Sequence, residues 1–321
     1  MTEIAYRQAV RDALHDEMEA DERVVLLGED VTQGGVFNVT PDLSERFGEK
    51  RVVDTPISEL AFTSAAFGAA VRGLRPVVEI MFGDFLGLVL DTLGNQASKY
   101  WYLSNEQSSV PLTVRSAVGG GASFGPCHSQ TPTGWFMGEP GLKLVAPSTP
   151  ADAYALTRAA IQDPNPVVVF EHKALYARKG EQGENGASAG LGRAAVRRPG
   201  SDVTIVAALA MVERALEAAE TLARDGVEAE VIDLRSLRPL DADSIGESVE
   251  RTRHLVVVEE GPPQGGYAAE VVALAVEAAG PVAACRVTMP DLPMPFAPTL
   301  EADARPEAED VAAAARELVD A

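Results

Sequence analysis

The chain has 321 residues, 46% of them hydrophobic, and a formal net charge of −21. At roughly 150 residues per domain this length predicts two domains, and the apolar content excludes wholesale disorder. So acidic a chain is repelled by nucleic-acid phosphates and anionic lipid, and its two cysteines, Cys127 and Cys285, exclude a disulfide-built scaffold or a multi-thiolate metal site.

Ile4, Val10, Leu14 and Met18 recur at roughly helical spacing and predict an opening amphipathic helix. No apolar run approaches ~18 residues, and the N-terminal stretch lacks the charged-then-apolar layout of a signal peptide. A soluble, cytoplasmic protein is expected, with neither nucleic acid nor membrane as a partner. Val24–Leu27, closed by Gly28, reads as a buried strand. Residues 29–50 read as a long polar loop, and Val52–Val53 as a second short strand. Ser58 is the expected cap of a helix from Glu59 to Val71 that ends at Gly73. Strands are expected at Pro76–Met81 and Pro111–Val114, with a helical stretch over Asp84–Leu103 between them. Leu142–Ala146 is the next strand. Thr149-Pro150-Ala151-Asp152 combines a cap, a proline at the first helical position and a capping-box acid. That helix leads through Asp163-Pro164-Asn165-Pro166 into a strand at Val167–Phe170.

Residues 177–200 hold six glycines and little apolar content. They divide the chain into a first domain over 1–185, a connection over 186–200 and a second domain over 201–321. In the second, strands are expected at Val203–Ala207, Val227–Leu234, Leu255–Val258 and Val282–Val287. Helices are expected at Met211–Arg224, Asp243–Arg251, Tyr267–Ala279 and near Val311–Val319. Strands alternating with helices imply βαβ units, so the fold class is α/β, with two α/β domains and mostly parallel sheets.

Chemistry-bearing groups are few. No HxxxH, CxxC or GxxxxGK[ST] occurs, which excludes a zinc site and a P-loop. Gly119-Gly120-Gly121 lacks the strand-to-helix setting of a dinucleotide fingerprint and reads as a flexible loop. His128, in SFGPCHSQT, lies in a loop after a strand, where active sites gather. From the residues alone, a functional and a surface histidine are equally open. Glu59 stands at a helix start, where an acid ordinarily compensates the helix dipole. The small apolar residues after it, LAFTSAAFGAA, allow a half-buried acid making one hydrogen bond as the functional alternative.

The segments LLGEDV, RVVDTPISEL, GLRPVVEIMF, HSQ, PGLKLVAPSTPADA, DPNPVVVFEH, VIDLRSLRPLD, VVVEEG and GGYAAEV occur in that order. With them the chain, from about Ile4 to Val319, resembles the beta subunit of the thiamine-diphosphate-dependent component of 2-oxo acid dehydrogenase complexes. The pyruvate, branched-chain and acetoin versions share this pattern. The resemblance implies a transketolase-like pyrimidine-binding domain followed by a transketolase C-terminal-like domain. It implies an alpha2beta2 heterotetramer with thiamine diphosphate between an alpha and a beta chain. Mg2+ would be held by a GDG…N motif of the alpha subunit, and no GDG occurs here. A dihydrolipoyl acyltransferase core is the implied further partner.

By the same resemblance, Glu59 in DTPISE binds N1′ of the aminopyrimidine and Phe85 in MFGDF packs on its ring. Glu29 and Met81 line the same pocket. His128 in HSQ faces the reacting end, for proton transfer or charge stabilisation during acyl transfer. Leu112, Ala160, Ile161, Asp163 and Asn165 match a structural potassium site of backbone carbonyls and one carboxylate; the alternative is an ordinary helix end and a Pro-bounded turn. Three departures stand out. Gly138-Glu139 precedes Pro140 where a histidine is usual, Cys127 stands where glutamine is frequent, and Leu209 stands near the usual glycine at a strand end. The implied activity is oxidative decarboxylation of a 2-oxo acid, pyruvate or branched-chain, with acyl transfer to a lipoyl arm. Acetoin cleavage and a non-catalytic scaffold are the alternatives. Residues 301–321 carry seven acids and two bases. They read as a solvated helix face or as a rim that steers a basic acyltransferase domain.

Overall fold

The computed structural model describes residues 3–181 and 190–320. TVRSAV at 113–118 and VVVFEH at 167–172 are buried at every position, as parallel strands covered on both faces must be. They lie at the centre of a seven-stranded sheet. Across it the order is Ser236–Arg238, Lys143–Val145, Val167–His172, Thr113–Val118, Arg75–Ile80, Val24–Gly28 and Val52–Asp54. All neighbours are parallel except the first pair. A second sheet of five strands runs Ala283–Thr288, His254–Glu259, Val203–Ala207, Ala229–Asp233 and Ala195–Arg198, with only the last antiparallel. The expected α/β class and parallel sheets are therefore observed.

The helix Tyr6–Ala20 packs against Pro150–Gln162. Val10, Leu14 and Met18 lie on its buried side as their spacing predicts, with Tyr6 beside them, whereas Ile4 lies before the helix in the short strand Glu3–Ala5. Thr149 caps the second of these helices, its Oγ1 accepting from Asp152 N at 3.1 Å. Other expectations need correction. Ser58 precedes the helix Glu59–Val71 but does not cap it; its Oγ donates to Pro56 O at 3.1 Å instead. The loop over 29–50 contains a 3-10 turn, Val31–Gln33, and a helix, Leu43–Phe47. The helical stretch before Leu103 is three windings in series: 3-10 over Gly83–Val89, π over Asp91–Ala97 and α over Ser98–Leu103. The expected connection 186–200 lies partly outside the described residues, and its Ala195–Arg198 is a strand of the second sheet. Ser236–Arg238 leaves the second half of the chain and joins the edge of the first sheet.

Burying both faces of the central strands draws charged residues inside. Arg115, 2% exposed, donates from Nε to Glu171 Oε1 at 2.8 Å and from Nη2 to Glu171 Oε2 at 2.7 Å. Its Nη1 donates to Glu79. Tyr176 OH adds a bond to Glu171 Oε2 at 2.9 Å. Burial pushes the Glu79 carboxyl up from its ordinary range and Arg115 pulls it back. One cation thus serves two buried carboxylates on neighbouring strands. Removing it leaves both uncompensated, which typically costs about 3–5 kcal/mol. Arg115→Leu is expected to lose that much unfolding free energy in urea; a loss below about 1 kcal/mol would mean water or a proton already neutralises the acids.

Candidate active site

Parallel strands end on one rim, and the chain places its candidate groups there. Glu29 follows the strand Val24–Gly28, and Glu59 follows Val52–Asp54 through Thr55-Pro56-Ile57-Ser58. Met81 to Phe85 follow Arg75–Ile80, the glycine loop and His128 follow Thr113–Val118, and Lys173 follows Val167–His172. Loops beyond the carboxyl ends of parallel strands are the usual ligand position in α/β sheets.

Glu59 opens its helix and is 6% exposed, although Ile57 and Leu60 beside it are 84% and 51% exposed. Glu29 is equally buried, and its Oε1 has no hydrogen-bond partner. Burial first, and then the charges of Glu59 and Asp30, push the Glu29 carboxyl up from its ordinary value. The two acids therefore share one desolvated neighbourhood.

The His128 ring is fixed edge-on against two aromatic rings, Phe82 at 4.6 Å and Phe85 at 5.5 Å between centroids. Phe82 in turn packs on Phe37 and Phe124. Lys173 holds the backbone, its Nζ donating to His128 O at 2.7 Å while lying 5.6 Å from the centre of the Phe82 ring. Burial lowers the Lys173 ammonium to about 8, against the nearby charge of Asp84. Met81 precedes Phe82, half-buried at the strand end. Phe82 lies within MFGDF and Lys173 directly follows DPNPVVVFEH, but neither carries a signal in the sequence that marks it as a site residue. A cavity of about 590 Å³ adjoins this loop, walled by Ser129, Thr131, Trp135, Glu259 and Met294.

Buried polar side-chain atoms normally find partners. Among the described residues seven do not: Thr63 Oγ1 and Thr157 Oγ1 lie within helices, while Glu29 Oε1, Thr55 Oγ1, Asp84 Oδ2, Ser129 Oγ and Thr131 Oγ1 lie in segments that follow the strands at this rim. Acceptors, hydroxyls and aromatic faces suit a flat, nitrogen-bearing ring, so the residues present fit the aminopyrimidine end of thiamine diphosphate. Cys127 is exposed beside them. Glu139, one of the departures, accepts from Lys99 Nζ at 2.7 Å.

The five candidate potassium residues gather at the opposite rim, where the strands begin. Leu112 O accepts from Val167 N at 3.0 Å, and Ala160 O from Asp163 N at 3.3 Å. Asp163 Oδ1 accepts from Asn165 N at 2.9 Å. Pro164 has no N–H to continue the helix, so the last carbonyls lose their usual donors. Protein cations lie on the same oxygens. Arg75 Nη1 donates to Ile161 O at 2.8 Å, and Lys143 binds the Asp163 carboxylate.

Comparison with known proteins bears on this geometry. Residues 2–179 match the family described as the transketolase pyrimidine-binding domain, and residues 192–311 match the transketolase C-terminal domain. The chain is 43% identical to the acetoin:2,6-dichlorophenolindophenol oxidoreductase subunit beta of Cupriavidus necator, over 98% of this chain and 97% of that one. It is 43% identical to the mitochondrial pyruvate dehydrogenase E1 component subunit beta-1 of Arabidopsis thaliana, over 98% and 89%. It is 41% identical to the 2-oxoisovalerate dehydrogenase subunit beta of Bacillus subtilis, over the full length of both. Among solved structures, a split gene transketolase in an inactive beta4 tetramer matches with a TM-score of 0.84 at 25% identity, over 99% of each chain. The chain therefore belongs to the family of transketolase-type beta subunits that includes those of the acetoin, pyruvate and 2-oxoisovalerate dehydrogenases.

Proposed function

We propose that this chain is the beta subunit of a cytoplasmic 2-oxo acid dehydrogenase, active with an alpha subunit in an alpha2beta2 assembly. The observation that carries this reading is one rim that brings Glu59 beside Glu29 and fixes His128 between Phe82 and Phe85. Residues 1–185 form the pyrimidine-binding unit and 201–321 the C-terminal unit. The diphosphate and Mg2+ fall to the alpha subunit.

Bound thiamine diphosphate supplies a nucleophilic carbon and a sink for the electron pair released on decarboxylation. The rest is done by this chain. Glu59 shares a proton at N1′ of the aminopyrimidine, and Glu29, whose carboxyl is pushed up by burial and by the charges of Glu59 and Asp30, lines the pocket beside it. Phe85 and Met81 wall the ring. His128, held by Lys173 and the two phenylalanines, moves a proton or balances charge as the acyl group passes to the lipoyl arm of an acyltransferase core. The opposite rim is proposed to take a structural K+. Its oxygens suit a hard monovalent ion, which would add to the charge that Arg75 and Lys143 already supply.

Co-expression with an alpha subunit bearing GDG…N, followed by assays on pyruvate, branched 2-oxo acids and acetoin, tests the activity. Release of CO2 from a 2-oxo acid is expected. Acetaldehyde from acetoin instead would place the chain with the acetoin enzymes, and turnover of none would leave a scaffold. General acid–base groups typically contribute about 10²–10⁴-fold, so Glu59→Gln should lose activity on that scale while keeping its fold; turnover within about threefold of wild type would sink the role. For the ion, the unfolding midpoint should be higher in KCl than in choline chloride at equal ionic strength. Equal midpoints would return that rim to an ordinary helix end.

A further inference from the structure

The loop that carries His128 is gripped from the other half of the chain. Gly120 N–H donates to Glu260 Oε1 at 2.6 Å. Gly121 N–H donates to Glu301 Oε1 at 2.9 Å, and Ser123 N–H to Glu301 Oε2 at 2.9 Å. Ser123 Oγ adds a bond to Glu301 Oε2 at 3.2 Å. Each acceptor is a carboxylate 4% exposed. Glu260 is itself fixed by Arg305, at 2.9 Å, and by His172 Nε2, at 3.2 Å. Burial would raise the Glu260 carboxyl, but His172, Arg305 and the Gly120 N–H together hold it well below its ordinary range.

The glycines make this grip possible. A Cβ on Gly119 would fall 2.0 Å from His172 Nε2, and one on Gly125 would fall 2.2 Å from the Phe296 ring. A Cβ on Gly120 would meet Met294 Cε at 2.9 Å and Glu301 Oε1 at 3.2 Å. Gly119, Gly121 and Gly125 also have φ of +85°, +93° and +73°, the region glycine enters without penalty. The segment that reads as a flexible loop in the sequence is instead seated backbone-first on buried carboxylates. The acidic tail changes meaning as well. Glu301 faces inward, Glu307 pairs with Arg214, and Glu309 pairs with Arg316, so these three acids are engaged within the chain.

We infer that Glu301 and Glu260 are positioning residues, which hold the loop 119–125 from the C-terminal half and thereby set the place of His128 on the rim. The grip stands on its own; its catalytic consequence rests on the function proposed above. Both carboxylates bond to the backbone of the loop, so each is assigned a role through the loop. The tail is then part of the site's architecture as well as its surface.

Hydrogen exchange of the full chain, read on peptides covering 119–130, tests the grip without any assay of activity. Glu301→Ala removes three acceptor contacts and should speed exchange of this segment about tenfold or more, the factor for losing one charge-assisted hydrogen bond, while the helix Tyr6–Ala20 stays protected. Glu301→Gln keeps the size and one amide oxygen and should give a smaller rise. Unchanged loop exchange in a folded Glu301→Ala chain overturns the inference. Should that variant unfold, Glu301→Gln decides: a rise confined to the loop supports the grip, and no rise overturns it. In the enzyme assembled with its alpha subunit, Glu301→Ala should lower kcat with little change in substrate KM, and Glu301→Gln should recover part of it. Wild-type kcat with a lowered melting temperature would make Glu301 merely structural. An inactive wild-type assembly would defeat the proposed function and leave the exchange result standing.

Discussion

The parallel alignment of the large sheet is the constraint on which everything else depends. A parallel pair needs a crossover that returns the chain to the same end, so the loops that follow the strands collect on one rim. That is why Glu29, Glu59, Phe85 and His128, scattered through the first half of the sequence, occupy one region. The same geometry separates the other candidate group. Leu112, Ala160 and Asp163 precede strands, so they gather at the far rim with Arg75 and Lys143.

Covering that sheet on both faces has an electrostatic consequence in so acidic a chain. Several buried acids are bound by basic side chains. Glu79 and Glu171 share Arg115, Asp152 and Asp233 share Arg197, and Glu260 takes Arg305 and His172. Among the described residues no ion pair reaches Glu29 or Glu59, although both are buried. Burying an uncompensated carboxylate is costly. Glu259 and Glu301 are also buried without an ion pair, but backbone N–H groups satisfy them, whereas Glu29 Oε1 has no partner within the chain and is left available to something outside it. Departures from local consistency of this kind concentrate at functional sites.

Much of this was legible in the sequence wherever local chemistry decides the outcome. The Thr149-Pro150 helix start and the spacing of Val10, Leu14 and Met18 need no distant partner to be read, while the strand expected at Pro111–Val114 lies at Thr113–Val118 and the one at Val167–Phe170 runs on to His172. What escaped depends on distant contacts. Ser236–Arg238 is only three residues long and exists because Lys143–Val145 offers an edge. Ala195–Arg198 lies in a polar, glycine-flanked stretch and gains its identity from Ala229–Asp233. Lys173 finds its acceptor 45 residues away. The glycine run was misread for the same reason, since three glycines signal flexibility until the opposing surface is known. Leu209 shows the complementary case. Its departure from a usual glycine was visible, and the residue indeed adopts a left-handed φ of +56°, a conformation that costs a side-chain-bearing residue roughly 1–2 kcal/mol.

The rim is also built as one half of something. The helix Glu59–Val71 is apolar almost throughout, and a helix hydrophobic on every side belongs in an interior. Yet it leaves Leu60 half-exposed, and Ile57 in the turn before it lies almost bare. A covering surface would bury these apolar side chains and, in the same movement, keep water out of the rim above Glu29 and Glu59. Exclusion strengthens every charge interaction inside and raises the cost of two ionised acids. A nitrogen base able to share a proton with Glu59 relieves that cost. On the proposed reading, assembly and proton sharing are therefore one event. The uncovered chain has the acids, the aromatic wall and a gripped His128 loop, and the covering surface is what closes the rim around them.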